Sequence, residues 1–250
     1  MDVSLADGRR IPGPEAGLGR NLTYGLLDLL GKRIVTGAYE TTGFPTEAEL
    51  SEQQGVSRSV TREAVKMLTA KGLLTARPRQ GTSVQPSACW NLFDPDVLRW
   101  MLERKVTAQL LEQFNQLRNA IEPGAAALAA RTGDPAGLAG IEAAFARMEA
   151  AEAGQETYAH HEALEADIGF HLSILRASGN PFFMQFRDVV ATALRTSIRM
   201  TRNISGKVFD LAAHEAVMQA ILRGDADGAF AAMSAIIGEV SRIMEQEKAA

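Results

Sequence analysis

Residues Pro45–Val84 read PTEAELSEQQGVSRSVTREAVKMLTAKGLLTARPRQGTSV, and the rest of the chain can be placed around them. Thr46 stands before Glu47, Ala48, Glu49 and Leu50, so its hydroxyl can cap a helix whose first turn carries two carboxylates at the positive end of the dipole. Gly55 ends that helix, and Ser57 is positioned to cap a second. The second helix collects Val60, Ala64, Val65 and Leu68 on an apolar face. Arg58 and Arg62, four residues apart, project from the opposite side of its first half. Gly72 closes it, and LLTARP and TSVQP then alternate as short strands around the tip Arg79-Gln80-Gly81. The order is helix, tight turn, helix and two-stranded wing.

Charge supports the same reading. Residues 51–86 hold six basic side chains (Arg58, Arg62, Lys66, Lys71, Arg77 and Arg79) against Glu52 and Glu63, a balance of +4. The whole chain carries −4, so everything outside this segment sums to −8. A local cationic patch on an acidic protein is the footprint expected of a DNA-binding module, and arginines early in a recognition helix can reach guanine edges in the major groove. The plainer alternative is a solvated amphipathic helix pair with incidental charge. On this ground the candidate DNA-contacting residues are Arg58 and Arg62, with Ser59 beside them and Thr46 at the start of the preceding helix.

PTEAEL, GVSRSVTREAV, L-x3-GLL and RQGTSV resemble the winged-helix domain of the GntR transcription regulators. The resemblance implies that Arg58, Arg62 and the wing tip contact double-stranded operator DNA. Many members of that family carry an arginine where this chain has Ala48, so one contact of the family pattern is absent.

The 250 residues, 46% of them hydrophobic, suffice for one or two domains. No run approaches the roughly 18 apolar residues of a membrane span, so no membrane association is expected. Residues 1–19 are Gly/Pro-rich and polar without an apolar signal segment, and read as a disordered tail. A single cysteine, Cys89, excludes an internal disulfide framework and suits a cytoplasmic protein. After the winged helix-turn-helix domain, 20–86, the stretch 87–106 reads as a linker with a short helix. Asp94 can cap it, Pro95 fits its first turn, and Trp90, Phe93, Leu98, Trp100 and Met101 are apolar enough to pack between domains.

Residues 107–250 show helical periodicity throughout and no strand period, so the fold is expected to be mostly α: a winged head followed by an all-helical bundle. The first bundle helix shows Leu110, Phe114, Leu117, Ile121 and Leu128 on one face. Another helix is expected to begin at Pro181 with Phe182, Phe183 and Phe186 lining it, and the last to carry Phe230, Met233 and Ile237.

Polar residues on inward faces are the informative ones in such a bundle. Asp167 and His171 are four apart on the stripe of Leu164 and Ile174, and His214 lies on that of Leu211, Met218 and Ile221. One carboxylate and two imidazoles from two helices form a plausible three-ligand set for a divalent metal such as Zn2+. A hydrogen-bonded core histidine and a buried Asp–His pair are the alternatives. Arg118 and Arg195 flank inward faces. Each needs either an internal acid, such as Glu122 or Asp167, or a bound organic acid gripped by its guanidinium.

LRNAIEPGAAALAA, DIGFHLSILRASGNP and HEAVMQAILRGDADGAFAAM resemble the FCD effector domain of the FadR branch of the GntR family. That resemblance implies a metal on Asp167, His171 and His214, a small carboxylate effector, and a homodimer. The fourth metal ligand of the family pattern falls at Ile236, which cannot coordinate. WNLFDPDVLRWMLE and the missing fourth histidine are most similar to sugar-acid-responsive members of the branch, which implies an effector such as galactonate and a repressor of a sugar-acid catabolic operon. Two alternatives stand beside this: a regulator responding to a hydroxy acid, keto acid or fatty acyl group, and a helical metallohydrolase using Asp167, His171 and His214.

Overall fold

The computed structural model describes residues 18–77, 81–102, 107–153, 159–205 and 208–249. The wing-tip residues Arg79 and Gln80, and residues 1–17 of the expected tail, lie outside the described residues. The chain divides into two compact units, residues 1–105 and 106–250.

The first unit begins with α1, Leu18–Val35, which buries Leu26, Leu27, Leu30, Ile34 and Val35. Helix α2, Glu47–Gln54, starts at a reciprocal cap: Thr46 Oγ1 accepts from the Glu49 backbone N–H at 3.3 Å, and the Glu49 carboxylate accepts from the Thr46 N–H at 2.8 Å. Gly55 ends it in the left-handed conformation, φ 64°. Helix α3, Arg58–Ala70, is capped by Ser57 and buries Thr61, Ala64, Val65 and Leu68. Gly72 has φ 78°, and a Cβ there would lie 2.3 Å from the Cys89 carbonyl oxygen, so the close chain crossing requires glycine on two grounds. Strands β1, Leu74–Arg77, and β2, Gly81–Val84, pair antiparallel with Leu74 opposite Val84 and Arg77 opposite Gly81.

Helix α4, Pro95–Met101, corrects the expectation of an interdomain linker. Asp94 caps it and Pro95 occupies its first turn, but its apolar side faces the head: Val97 and Trp100 belong to the same core as α1 and α3. The Trp100 indole is fully buried, and its Nε1–H donates to Asp28 on α1 at 2.8 Å. Gly31 makes the space, since a Cβ there would stand 2.5 Å from the indole ring.

The second unit is helical throughout its described residues: α5, Ala108–Thr132; α6, Pro135–Ala153; α7, Ala159–Ala177; α8, Arg187–Ser205; α9, Leu211–Leu222; and α10, Ala226–Ala249. Their shared core includes Ile121, Phe145, Met148, Phe170, Ile174, Val190, Val217, Ile221, Met233 and Ile237. Three expectations change. The chain after SGNP first makes a 3-10 turn, Phe183–Phe186, so α8 begins at Arg187 and not at Pro181. Phe182 is 75% and Phe230 48% exposed, so neither lines the core. Helix α5 buries more than the expected face: Phe114 and Ile121 are buried as expected and Leu110, Leu117 and Leu128 are only half-buried, while a further buried line runs Leu111, Asn115, Arg118, Glu122, Ala125 and Ala129. Steps of four and three keep those six residues on one line of the helix, and three of them are polar.

Candidate functional site

On the head, Arg58, Ser59 and Arg62 are exposed on the first half of α3. Ser59 shares a hydrogen bond with the capping Ser57 at 2.9 Å. Arg62 Nε lies 3.5 Å from Glu47 on α2 with both side chains solvated, a weak pairing that leaves the guanidinium available to another anion. Thr46 is committed to its own helix start: its hydroxyl also donates to Glu49 at 2.8 Å, and these bonds hold the Glu49 carboxyl below its ordinary value. Gly81 opens β2 with φ 82°. Of the six cations, Lys71 is turned away from this surface. Its Nζ donates to Asp94 and Asp96 at 2.8 Å, tying α3 to α4.

Inside the second unit a polar layer replaces apolar packing. Arg118 and Glu122 on α5, Asp167 and His171 on α7, and His214 on α9 are all buried. Arg118 Nε donates to Glu122 Oε1 at 2.6 Å, and the other Glu122 oxygen accepts from His171 Nδ1. Burial works to raise the Glu122 carboxyl, but the Arg118 charge and His171 outweigh it and hold it down at about 2. An ionised carboxylate only accepts, so His171 carries a proton on Nδ1 and turns Nε2 away from Glu122. On α9, the Asp210 side chain caps the helix through the Ala213 N–H at 3.2 Å, while its carbonyl lies 2.6 Å from His214 Nδ1. A carbonyl also only accepts, so His214 too carries its proton on Nδ1.

Both Nε2 atoms therefore point at Asp167. His214 Nε2 lies 3.0 Å and His171 Nε2 3.8 Å from Asp167 Oδ1. Burial works to lower the His214 imidazole, but Asp167 outweighs it and raises it above its ordinary 6.5. One donor atom from each of the three residues falls within 4.8 Å of the others. Burial pushes the Asp167 carboxyl up, but His214, His171 and Arg118 pull it below its ordinary value, so it is charged. Two imidazoles held at Nδ1 by a carboxylate and a carbonyl, with both Nε2 atoms turned to one charged carboxylate, are a donor set that fits a divalent cation, which would take the place of any proton on Nε2. Ile236, half-buried against the core, supplies no fourth ligand.

Further polar atoms of α5 remain unpartnered. Among the described residues, Arg118 Nη2 has no acceptor, and neither the oxygen nor the nitrogen of the Asn115 carboxamide has a partner. Arg195 does not join this layer: its side chain is 42% exposed and donates to Glu165 at 3.0 Å on the adjacent α7 surface. Asn115 gives little signal in the sequence, because unlike Arg118 it carries no charge that demands a counter-ion. A search for steps of four and three through Arg118 and Glu122 reaches it.

Residues 25–84 match the model of the bacterial regulatory proteins of the gntR family, and residues 113–239 match that of the FCD domain. The chain belongs to the GntR family. It is a transcription regulator and not an enzyme, which removes the metallohydrolase alternative. The chain is 37% identical over 219 residues to the HTH-type transcriptional regulator YieP of Escherichia coli K12, covering 87% of this GntR protein and 93% of the relative. It is 32% identical over 229 residues to the galactonate operon transcriptional repressor of the same organism, covering 90% and 98%. Among solved structures, Lar, which controls the expression of the Listeria monocytogenes agr system, aligns with a TM-score of 0.62 at 18% identity, covering 94% of this chain and 99% of that one. That likeness carries the fold alone. Among the described residues no helix is long and apolar enough to cross a membrane.

Proposed function

We propose that this GntR regulator is a cytoplasmic repressor of a sugar-acid catabolic operon, released from its operator by a carboxylate effector bound in the FCD domain. The observation that carries the reading is the buried cluster of Asp167, His171 and His214, together with an Arg118 Nη2 that has no acceptor among the described residues. A buried donor or acceptor left unsatisfied costs about 1–3 kcal/mol, so Arg118 Nη2 and His171 Nε2 are better explained by ligands than by packing. Asp167, His171 and His214 would hold a divalent cation, whose charge would help neutralise an effector carboxylate. Arg118 would take the same carboxylate with the guanidinium edge that Glu122 leaves free. The similarity to the galactonate operon repressor supports galactonate or a related aldonate as effector. A fatty acyl group suits this charged layer less well than a small polar acid.

On the DNA side, Arg58 and Arg62 would read base edges, with Ser59, Thr46 and the wing tip Arg79-Gln80-Gly81 on the backbone. Two heads of a homodimer would read the half-sites of a palindrome. The effector can shift this equilibrium only through its different affinity for the two arrangements of the protein. The reading is tested by a thermal-shift screen of organic acids with and without Zn2+, followed by gel shifts on the protein's own promoter region. Stabilisation by an aldonate that also weakens operator binding is the expected result. Stabilisation by none of the acids would remove the effector reading.

A further inference from the structure

The unpaired carboxamide of Asn115 has no role in the metal cluster or in the Arg118–Glu122–His171 chain. It is 3% exposed, its donor and acceptor are both unpartnered, and it stands one turn before Arg118 on the buried stripe of α5. A leucine at such a position would pack without leaving polar atoms bare, so the retained amide needs an account. We infer that Asn115 is a specificity-determining residue that reads a hydroxyl of a polyhydroxylated acid whose carboxylate lies at Arg118. The inference rests on the effector reading above and narrows its ligand class.

The chemistry of the amide selects the group it meets. A carboxamide offers N–H donors and one acceptor oxygen, so it can bond a hydroxyl, or two neighbouring hydroxyls, in both directions. It carries no charge, so it adds little for a second carboxylate. Asn115 and Arg118 are about 4.5 Å apart along the axis of α5 and share its buried line. A chain bearing a carboxylate at one end and hydroxyls on the following carbons can meet both groups. A three-carbon acid with one hydroxyl would engage Arg118 and leave the amide bare. A site built to hydrogen-bond a hydroxyl discriminates strongly against analogues that lack it, because its own buried groups then go unpaired.

Isothermal titration of the full-length protein with D-galactonate and with L-lactate tests this, using wild type, Asn115→Leu and Arg118→Lys. Wild type is expected to prefer galactonate. Asn115→Leu should lose on the order of tenfold or more in galactonate affinity while lactate affinity holds. Arg118→Lys should weaken both acids. Ligand-free Asn115→Leu should melt at the wild-type temperature or above, since it removes two unsatisfied groups. The inference is overturned if Asn115→Leu binds galactonate as wild type does, if wild type shows no preference for galactonate over lactate, or if the variant melts early and loses both acids together. If wild type binds neither acid, the effector reading falls and takes this inference with it.

Discussion

Glu122 binds Arg118 with one carboxylate oxygen and His171 with the other, so a single buried acid orients both a cation and an imidazole. The consequence reaches past the pair. Because Glu122 takes only the Nε edge of Arg118, the Nη2 edge stays available. Because it takes Nδ1 of His171, Nε2 faces Asp167 at 3.8 Å.

Replacing Glu122 by glutamine therefore has two expected effects. It removes the counter-charge of a buried guanidinium, and breaking a buried pair on one side costs about 3–5 kcal/mol. It also loosens the tautomer of His171, and losing such an outer partner lowers metal affinity roughly 10–100-fold. Thermal melts and a Zn2+ competition titration against a chromogenic chelator would measure the two separately. A variant with wild-type metal affinity would show that His171 is not a ligand.

On the head, Arg58→Ala and Arg62→Ala are each expected to cost about 1–3 kcal/mol in operator affinity. Both side chains are exposed and outside the core, so melting temperatures should hold. Arg62 is already near Glu47 at 3.5 Å, and Glu47→Gln should strengthen DNA binding slightly, most visibly at low salt. Gel-shift titrations of the three variants against wild type decide it, and equal affinities for the two alanine variants would move the DNA-reading surface elsewhere.

Trp100→Ala should destabilise the head by about 3–5 kcal/mol, as expected for a fully buried aromatic with a hydrogen-bonded indole. Gly31→Ala should also destabilise it, because the added methyl would meet the indole ring at 2.5 Å. Urea melts followed by the tryptophan signal would test both. Wild-type stability of Trp100→Ala would contradict the placement of α4 in the first core.

How far the sequence could be read depended on where the deciding interaction lay. The ends of α2, α3 and α4 were legible because Thr46, Gly55, Ser57, Asp94 and Pro95 act on backbone groups within three residues of themselves. The metal-compatible trio was legible because Asp167, His171 and His214 interrupt otherwise apolar stripes. Trp100 was misplaced because its receptor is a missing side chain, Gly31, which belongs to a distant helix. The buried line of α5 was legible at Arg118 and its partner Glu122, whose charges demand each other, but not at Asn115, whose neutral carboxamide finds no partner among the described residues.

Lys71 joins Asp94 and Asp96 in a largely sheltered cluster, and its pH behaviour can be stated with sign. Burial opposes the charge of Asp96, but Lys71 and Arg99 outweigh it and hold the carboxyl below its ordinary 3.8. A depressed carboxyl stabilises the fold above its unfolded value, and that stabilisation is lost as pH falls through the folded value. Burial likewise opposes the Lys71 charge, yet the two acids raise it above 10.5, so its contribution fades only in strong alkali. Lys71→Met should cost roughly 1–3 kcal/mol near neutrality. It should also flatten the loss of head stability below pH 4, which parallel acid melts would reveal. An unchanged acid profile would show that the cluster does not set it.

Arg118→Lys separates the two duties of the arginine. A lysine keeps a positive charge for Glu122 but offers no planar fork, so the fold should survive while the grip on a carboxylate weakens. Operator affinity without effector should match wild type, since the substituted residue lies in the bundle core. The effector concentration needed to release DNA should rise on the order of tenfold, the loss of about one charge-assisted hydrogen bond. Gel shifts titrated with D-galactonate would give both numbers from one protein preparation. A wild-type release curve would mean that Arg118 serves only to partner Glu122, and the carboxylate would then have to be held by the Asp167, His171 and His214 cluster alone.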